Sequence, residues 1–377
     1  MTEPHTPIRL LMLGTVNHPH VEHLAGAMRE RGLQLLVAGD VEPSLPASRL
    51  PEAGVEVRVA PRARRRTVRG LVSHVVWIRR LVREFRPAVV HAHWFPGFGF
   101  FAALARARPL VAMAWGSDVL RADRIKRAAD RVALRRAALA MADSQALVDA
   151  MVDLGAHRDE VMLMSWGVDL DHFRPLAAPR AEVRAALGLP EGRVVLSPRS
   201  LMPLYNPRVI VDAFELLAGE LPDLRLVLKH MATEHPPIGP LRYPDRVHVI
   251  GHVPYAQMVQ WYQAADVCVS VASSDSSPRS VWEAMASGTP CVISDLPWVH
   301  ELIEHERHAL VVPIDARAVA TAIRTLLEDR DLAAGMARRA RELVAEHHSQ
   351  SVAMDRVADA HRTLVGSPPL VAQPPLG

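Results

Sequence analysis

The chain has 377 residues, 49% of them hydrophobic and 23% charged, with a formal net charge of +3. This composition excludes a disordered or fibrous protein, and the length exceeds one ordinary core, so two domains are expected. No apolar run approaches the roughly twenty residues a membrane-crossing helix needs. The start, MTEPHTPIRLLMLG, lacks a basic leader followed by a long apolar stretch, so no signal peptide is predicted and a cytoplasmic location is expected.

From Ile8 onward, short apolar runs alternate with amphipathic stretches. Strands are predicted at 8–14, 33–39, 55–59, 88–93 and 110–115, and helices near 20–31, 67–85 and 98–107. Strands that are apolar throughout and separated by helices predict a parallel sheet covered on both faces. The first strand ends in Gly14-Thr15-Val16-Asn17-His18-Pro19-His20. This is not the Gly-Xaa-Gly-Xaa-Xaa-Gly of dinucleotide-binding enzymes, so a dehydrogenase loses its main support. His18 and His20 are candidates for either a site or a turn.

Arg62, Arg64, Arg65, Arg66 and Arg69 lead into the 67–85 helix, whose apolar positions follow a helical period. Such a helix either packs on the sheet behind a solvated Arg loop or lies on an anionic membrane. Residues 138–156 read as strand, Asp143-Ser144 cap, helix and Gly155 stop. A Pro- and Ala-rich stretch at 175–179 marks a boundary. Beyond it come strands at 194–198, 224–229, 247–251, 266–271, 290–293 and 309–313, with helices at about 315–329, 331–346 and 349–365. The Pro-rich tail 366–377 is expected to be disordered. Cys268 and Cys291 fall in apolar strands and read as core thiols. Lys occurs only at 126 and 229, and no nucleic-acid-binding motif is present.

The richest stretch is 270–303. An apolar strand runs into a Ser-rich loop holding Asp275, Ser276 and Ser277; Pro278 then opens a short helix, and a second apolar strand follows. Unpaired backbone N–H groups and the positive end of a helix suit a phosphate. Glu283 stands eight residues after Asp275, so two carboxylates can face one crevice at the carboxyl ends of parallel strands, as a phosphate- and hydroxyl-rich ligand requires.

The stretch from Asp275 to Ile303, which continues after Asp275 as SSPRSVWEAMASGTPCVISDLPWVHELI, resembles the donor-site signature of the group 1 (family four) glycosyltransferases. In that signature two acids separated by seven residues precede a Gly-Xaa-Pro turn and a further Glu. Here these are Asp275, Glu283, Gly288, Pro290 and Glu301. The resemblance implies the α/β GT-B fold, two Rossmann-like domains facing a central cleft. Residues 1–172 would form the acceptor domain and 173–348 the nucleotide-sugar domain, with the last helix, 349–365, packing back on the first.

It further implies transfer of a sugar from a nucleotide-sugar, a co-substrate rather than a cofactor, to a small-molecule, lipid-linked or saccharide acceptor with retention of configuration. No metal is expected. Arg199, Asp275, Glu283 and Asp118 would serve catalysis. Arg199, Lys229, Asp275, Ser276, Ser277, Pro278, Val281, Trp282, Glu283, Thr15 and His18 would contact the donor, the charged residues through their side chains and the helix start through its backbone N–H groups.

The chain departs from the pattern at Asp275, where Glu is usual; at Trp115 in WGSDV, where His is usual; at Trp166, where Asn is usual; and at Tyr205-Asn206, where a Lys is usual. Lys229 is the candidate substitute for that Lys, and Asp118 for the missing His or, alternatively, a helix cap. A nucleotide-sugar epimerase of the same fold and a non-catalytic nucleotide-sugar-binding protein are the alternatives.

Overall fold

The computed structural model describes residues 7–61, 67–176, 178–230 and 238–367. Arg62, Arg64, Arg65 and Arg66 of the basic loop, and the expected tail from 368 on, lie outside the described residues. Contacts divide the chain into two units, one running to Met164 and resuming at Val352, the other covering Ser165–Ser351.

The first unit contains β1 (Arg9–Leu13), α1 (Pro19–Glu30), β2 (Gln34–Gly39), β3 (Glu56–Val59), α2 (Val68–Phe85), β4 (Val89–His93), α3 (Phe100–Ala105) and β5 (Leu110–Met113). It continues through α4 (Ser117–Leu120), α5 (Arg124–Leu134), β6 (Leu139–Ala142), α6 (Gln145–Asp153) and β7 (Val161–Leu163). Its sheet has the order β3-β2-β1-β4-β5-β6-β7, with all pairs parallel. Leu10 to Leu13 and Val89 to Ala92 are buried side by side, which is why these strands read as unbroken apolar runs.

The helix ends follow local chemistry. The Ser144 hydroxyl accepts from Leu147 N–H at the start of α6, and Asp123 accepts from Ile125 and Lys126 N–H at the start of α5, each satisfying otherwise unpaired first-turn donors. Asp118, read alternatively as a helix cap, sits instead inside α4, whose cap position is Gly116. Helix α2 buries Ile78, Leu81 and Phe85 on one face while Val68, Val72 and Val76 remain at least half exposed on another. The helix thus packs on its own unit and also keeps an outward apolar stripe.

The second unit contains α7 (Arg180–Ala186), β8 (Arg193–Ser197), α8 (Pro207–Ala218), β9 (Leu224–Lys229), β10 (Val247–Ile250), α9 (Tyr255–Ala264), β11 (Val267–Ser270) and α10 (Arg279–Ala286). β12 (Cys291–Ser294), β13 (Leu310–Val312), α11 (Ala316–Glu328) and α12 (Arg330–His347) complete it. The parallel sheet runs β10-β9-β8-β11-β12-β13. Two apolar layers cover it. Ile210, Phe214, Ile323 and Leu326 pack on one face, and Tyr262, Val281, Met285 and Val344 on the other.

The division between units falls at Met164 rather than at 172. Val168 N–H donates to His348 O and Gln350 N–H to Val168 O, and Val168 and Phe173 are buried in the second core. A side chain at Gly167 would place its Cβ 2.3 Å from Gln350 Cα, so only glycine permits this close pairing of 165–168 with 348–350. The last helix, α13 (Gln350–Thr363), joins the first unit from Val352 onward. There Asp355 meets Arg31 at 2.7 Å, and His361 Nε2 lies 3.0 Å from His91 Nδ1.

Candidate active site

In an open parallel sheet, neighbouring strands whose connections leave in opposite directions part at their carboxyl ends and leave a crevice. In the second unit that switch point lies between β8 and β11. The chain leaves β8 into Pro198-Arg199 and leaves β11 into the loop of Asp275, so topology alone delivers these two side chains to one place.

They meet there. Arg199 Nη2 lies 2.8 Å from Asp275 Oδ2, and the two side chains are only 12% and 15% exposed. Arg199 Nη1 donates to the Ser280 hydroxyl at 3.1 Å, at the start of α10. Burial pushes the Asp275 carboxyl above its usual range, and the Arg199 charge opposes that shift. The Arg199 guanidinium also lies over the Tyr205 ring, 4.2 Å from its centre, a cation–π arrangement strengthened by the enclosure.

Tyr205-Asn206, which replaces the expected Lys, thus has a structural use. Tyr205 supports Arg199, and Asn206 Nδ2 donates to Val271 O at 3.0 Å and Ser273 Oγ at 2.8 Å, pinning the start of the Ser-rich loop. Asn206 adopts φ 46°, a left-handed conformation that Asn tolerates better than most residues.

Further along that loop Ser277 also has positive φ, 48°. This uncommon conformation for Ser is secured by the Trp282 indole N–H donating to Ser277 Oγ at 3.0 Å. The Trp282 ring stacks on His348, centroids 4.0 Å apart, and packs edge-on to Trp298. Trp282 and Val281 are therefore core side chains, and their backbone N–H groups donate to Pro278 O at 3.4 and 3.0 Å, so neither is placed as a ligand contact. The Arg279 and Ser280 N–H groups that open α10 have no carbonyl a turn behind them within the helix, which leaves a positive end beside Arg199.

Glu283 is one turn into α10 and 6% exposed. Tyr262 Oη donates to its Oε2 at 3.0 Å, and Arg279 Nε lies 3.4 Å from Oε1. Burial raises its pKa against the pull of Arg279, Tyr262, Lys229 and His172. Lys229, at the carboxyl end of β9, is influenced by both Glu283 and Arg199, and desolvation lowers its pKa despite Glu283. The structure therefore brings Arg199, Lys229, Asp275, Ser280 and Glu283 around the start of α10. The sequence reading missed Arg279; its place at the first position of the helix, one turn before Glu283, is the signal that could have found it.

Asp118, Thr15 and His18 belong to the first unit. The Asp118 carboxylate accepts from Trp115 N–H at 2.9 Å and Phe95 N–H at 3.2 Å, so it anchors two loops. Burial lifts its pKa to about 6. The Trp115 indole N–H donates to His93 Nδ1 at 3.2 Å, and its ring lies 4.4 Å from that of His18. His18 accepts from His20 N–H at 3.2 Å at the start of α1, and the Thr15 carbonyl accepts from His18 N–H.

Among the described residues no group of three His, Cys, Asp or Glu is placed to hold a metal ion. Asp169-Leu170-Asp171 has the spacing of an acidic clamp, but Asp169 accepts from the N–H groups of Asp171 and His172 and closes a turn. In Asp329-Arg330-Asp331, Asp329 caps α12 by accepting from Leu332 N–H. Cys268 and Cys291 are buried free thiols on adjacent strands.

Two family descriptions match the chain, one for each half. The family described as "Glycosyl transferases group 1" matches residues 179–343, and "Glycosyl transferase 4-like domain" matches 18–167. The chain belongs to the group 1 glycosyltransferases. One relative, a D-inositol 3-phosphate glycosyltransferase from Thermobispora bispora, is 30% identical over 201 residues, 48% of this chain and 46% of that protein. The chain spans about half the length of the first curated relatives it matches.

Among solved structures, sucrose-phosphate synthase from Thermosynechococcus elongatus superposes with a TM-score of 0.81 at 18% identity, covering 95% of this chain and 99% of that one. Anabaena Alr3699/HepE in complex with UDP-glucose gives 0.78 at 21% identity, covering 94% and 99%. This group 1 glycosyltransferase thus has the GT-B fold, built from two Rossmann-like units. No described helix is long and apolar enough to cross a membrane.

Proposed function

We propose that this chain transfers a sugar from a nucleoside diphosphate sugar to an acceptor with retention of anomeric configuration. The observation that carries the reading is the placement of Arg199, Lys229, Asp275 and Glu283 around the start of α10, at the switch point of the second sheet. Breaking the sugar–phosphate bond leaves negative charge on the departing diphosphate, which Arg199, the helix end and Lys229 would stabilise as it develops. These groups are enclosed and already in position, so little reorganisation accompanies the step.

Glu283 would accept from the ribose hydroxyls, and Asp275 with the adjacent backbone would hold the transferred sugar. Both carboxylates are engaged by Arg279 and Tyr262 or by Arg199, and neither stands free as a nucleophile; this favours front-side transfer. Cations of the chain supply the neutralisation, so no metal or further cofactor is assigned. The acceptor is a small-molecule, lipid-linked or saccharide hydroxyl compound. The exposed Val68-Val72-Val76 stripe of α2 beside Arg69 and Arg80 supports peripheral contact with an anionic membrane, and cytoplasmic placement accords with a nucleotide-sugar donor.

The test is incubation of chelator-treated protein with UDP-, GDP- and ADP-sugars and an acceptor panel, reading nucleoside diphosphate release and the anomeric configuration of the product. Retained configuration without added metal is expected. An inverted product, absolute dependence on a divalent cation, or an epimerised sugar formed from donor alone would overturn the reading.

A further inference from the structure

Arg279 occupies the first position of α10, and its side chain is 10% exposed. The guanidinium carbon lies 4.8 Å from the centre of the Tyr255 ring, and Nε is 3.4 Å from Glu283 Oε1. That contact is an ion pair without an aligned hydrogen bond. Nε and Nη2 are fully enclosed and donate to no acceptor.

Enclosed guanidinium donors without acceptors are costly. Here they sit at a helix N-terminus whose own N–H groups also point away from the helix. At the same first turn Arg199 reaches Ser280 and Asp275. Two guanidiniums therefore stand at one helix start, and each is held by one of the two carboxylates. The cations of the anion site and the acids of the hydroxyl site are thus paired with each other.

We infer that Arg279 is a second phosphate-binding residue of the donor, one that exchanges Glu283 for a phosphate oxygen when the nucleotide enters and so releases a Glu283 oxygen for the ribose. A phosphate offers several acceptors to the two unsatisfied donors in a geometry a guanidinium matches. With the expected Lys replaced by Tyr205-Asn206, Arg279 restores a cation near the diphosphate from within the helix itself. This assignment rests on the nucleoside diphosphate reading of the site.

The test is calorimetric binding of UDP, GDP and ADP to the wild-type chain, then of whichever binds, and of its parent nucleoside, to Arg279→Gln and Arg279→Lys. Arg279→Gln is expected to weaken the diphosphate about ten- to a hundredfold and the nucleoside by less than about threefold. Arg279→Lys, which keeps a charge but not the fork, should give a smaller loss for the diphosphate alone, and it decides the matter if Arg279→Gln does not fold. Equal losses for nucleoside and diphosphate would show that Arg279 acts only by shaping Glu283, and unchanged diphosphate affinity would remove it from the site; either overturns the inference. Failure of the wild-type chain to bind any of the three diphosphates would instead overturn the functional reading on which it rests.

Discussion

Arg199 and Asp275 form an ion pair at 2.8 Å, nearly enclosed, between residues that leave two different strands of the second sheet. Breaking such a pair leaves one buried charge without its partner, whereas removing both leaves none. Asp275→Leu and Arg199→Met should each cost about 3–5 kcal/mol of stability, and the double variant less than the sum of the two. Urea denaturation of the four proteins checks this. Strictly additive losses would show that the pair is not coupled.

Lys229 titrates below the ordinary Lys range because burial disfavours its charged form, while Glu283 pulls the other way. Its positive charge is therefore lost at a lower pH than for an exposed Lys. Nucleoside diphosphate affinity should fall as pH rises through that lowered pKa, and Lys229→Arg should carry the plateau to higher pH. At pH 7, Lys229→Ala should weaken binding about tenfold, the worth of one charged hydrogen bond. Titration calorimetry from pH 7 to 10 tests both, and an unchanged pH profile in Lys229→Arg would count against Lys229 as a diphosphate contact.

Asp130 on α5 is fully buried and both its oxygens lack a hydrogen-bond donor. Burial first, and then the nearby Asp118 charge, raise its pKa to about 7 from the usual 3.8. Between those values the folded protein keeps a proton that the unfolded chain releases, so stability falls as pH rises from about 4 to about 7 and is level above. Asp130→Asn removes the titration. It should match wild type near pH 4 and exceed it at pH 8, by on the order of 1–3 kcal/mol. Thermal melts at the two pH values measure the difference, and a gain that does not grow with pH would contradict the assignment.

Val72 and Val76 are 54% and 53% exposed on α2, away from the face that buries Ile78 and Phe85. Val72→Glu/Val76→Glu should leave the melting temperature within about 2 °C, since exposed changes shift stability by about 0.5 kcal/mol or less. The same variant should lose sedimentation with phosphatidylglycerol vesicles. Wild-type protein that stays in the supernatant with these vesicles, or a variant that pellets equally well, would exclude this stripe as a membrane contact.

Much of the fold is legible in the amino-acid sequence. Apolar runs such as Val89 to His93 and Val267 to Ser270 read as buried parallel strands because both their faces are covered, and Ser144 marks a helix start because its hydroxyl accepts from Leu147 N–H. Asp275 and Glu283 are legible as a pair because a loop followed by a helix carries them at a fixed spacing.

What local pattern could not contain is pairing across strands. That Arg199 meets Asp275, that Asn206 pins Val271 and Ser273, and that Trp115 is engaged by His93 all depend on strand order and on which carboxyl ends lie side by side. Arg279 belongs with these tertiary pairings. Its spacing one turn before Glu283 is visible on the sequence, but only enclosure by Tyr255 and Glu283 turns it into a buried cation with donors to satisfy. Local sequence determined the elements and their chemical inventory; the tertiary structure decided which charges lose water together, and thereby which of them can act on a ligand.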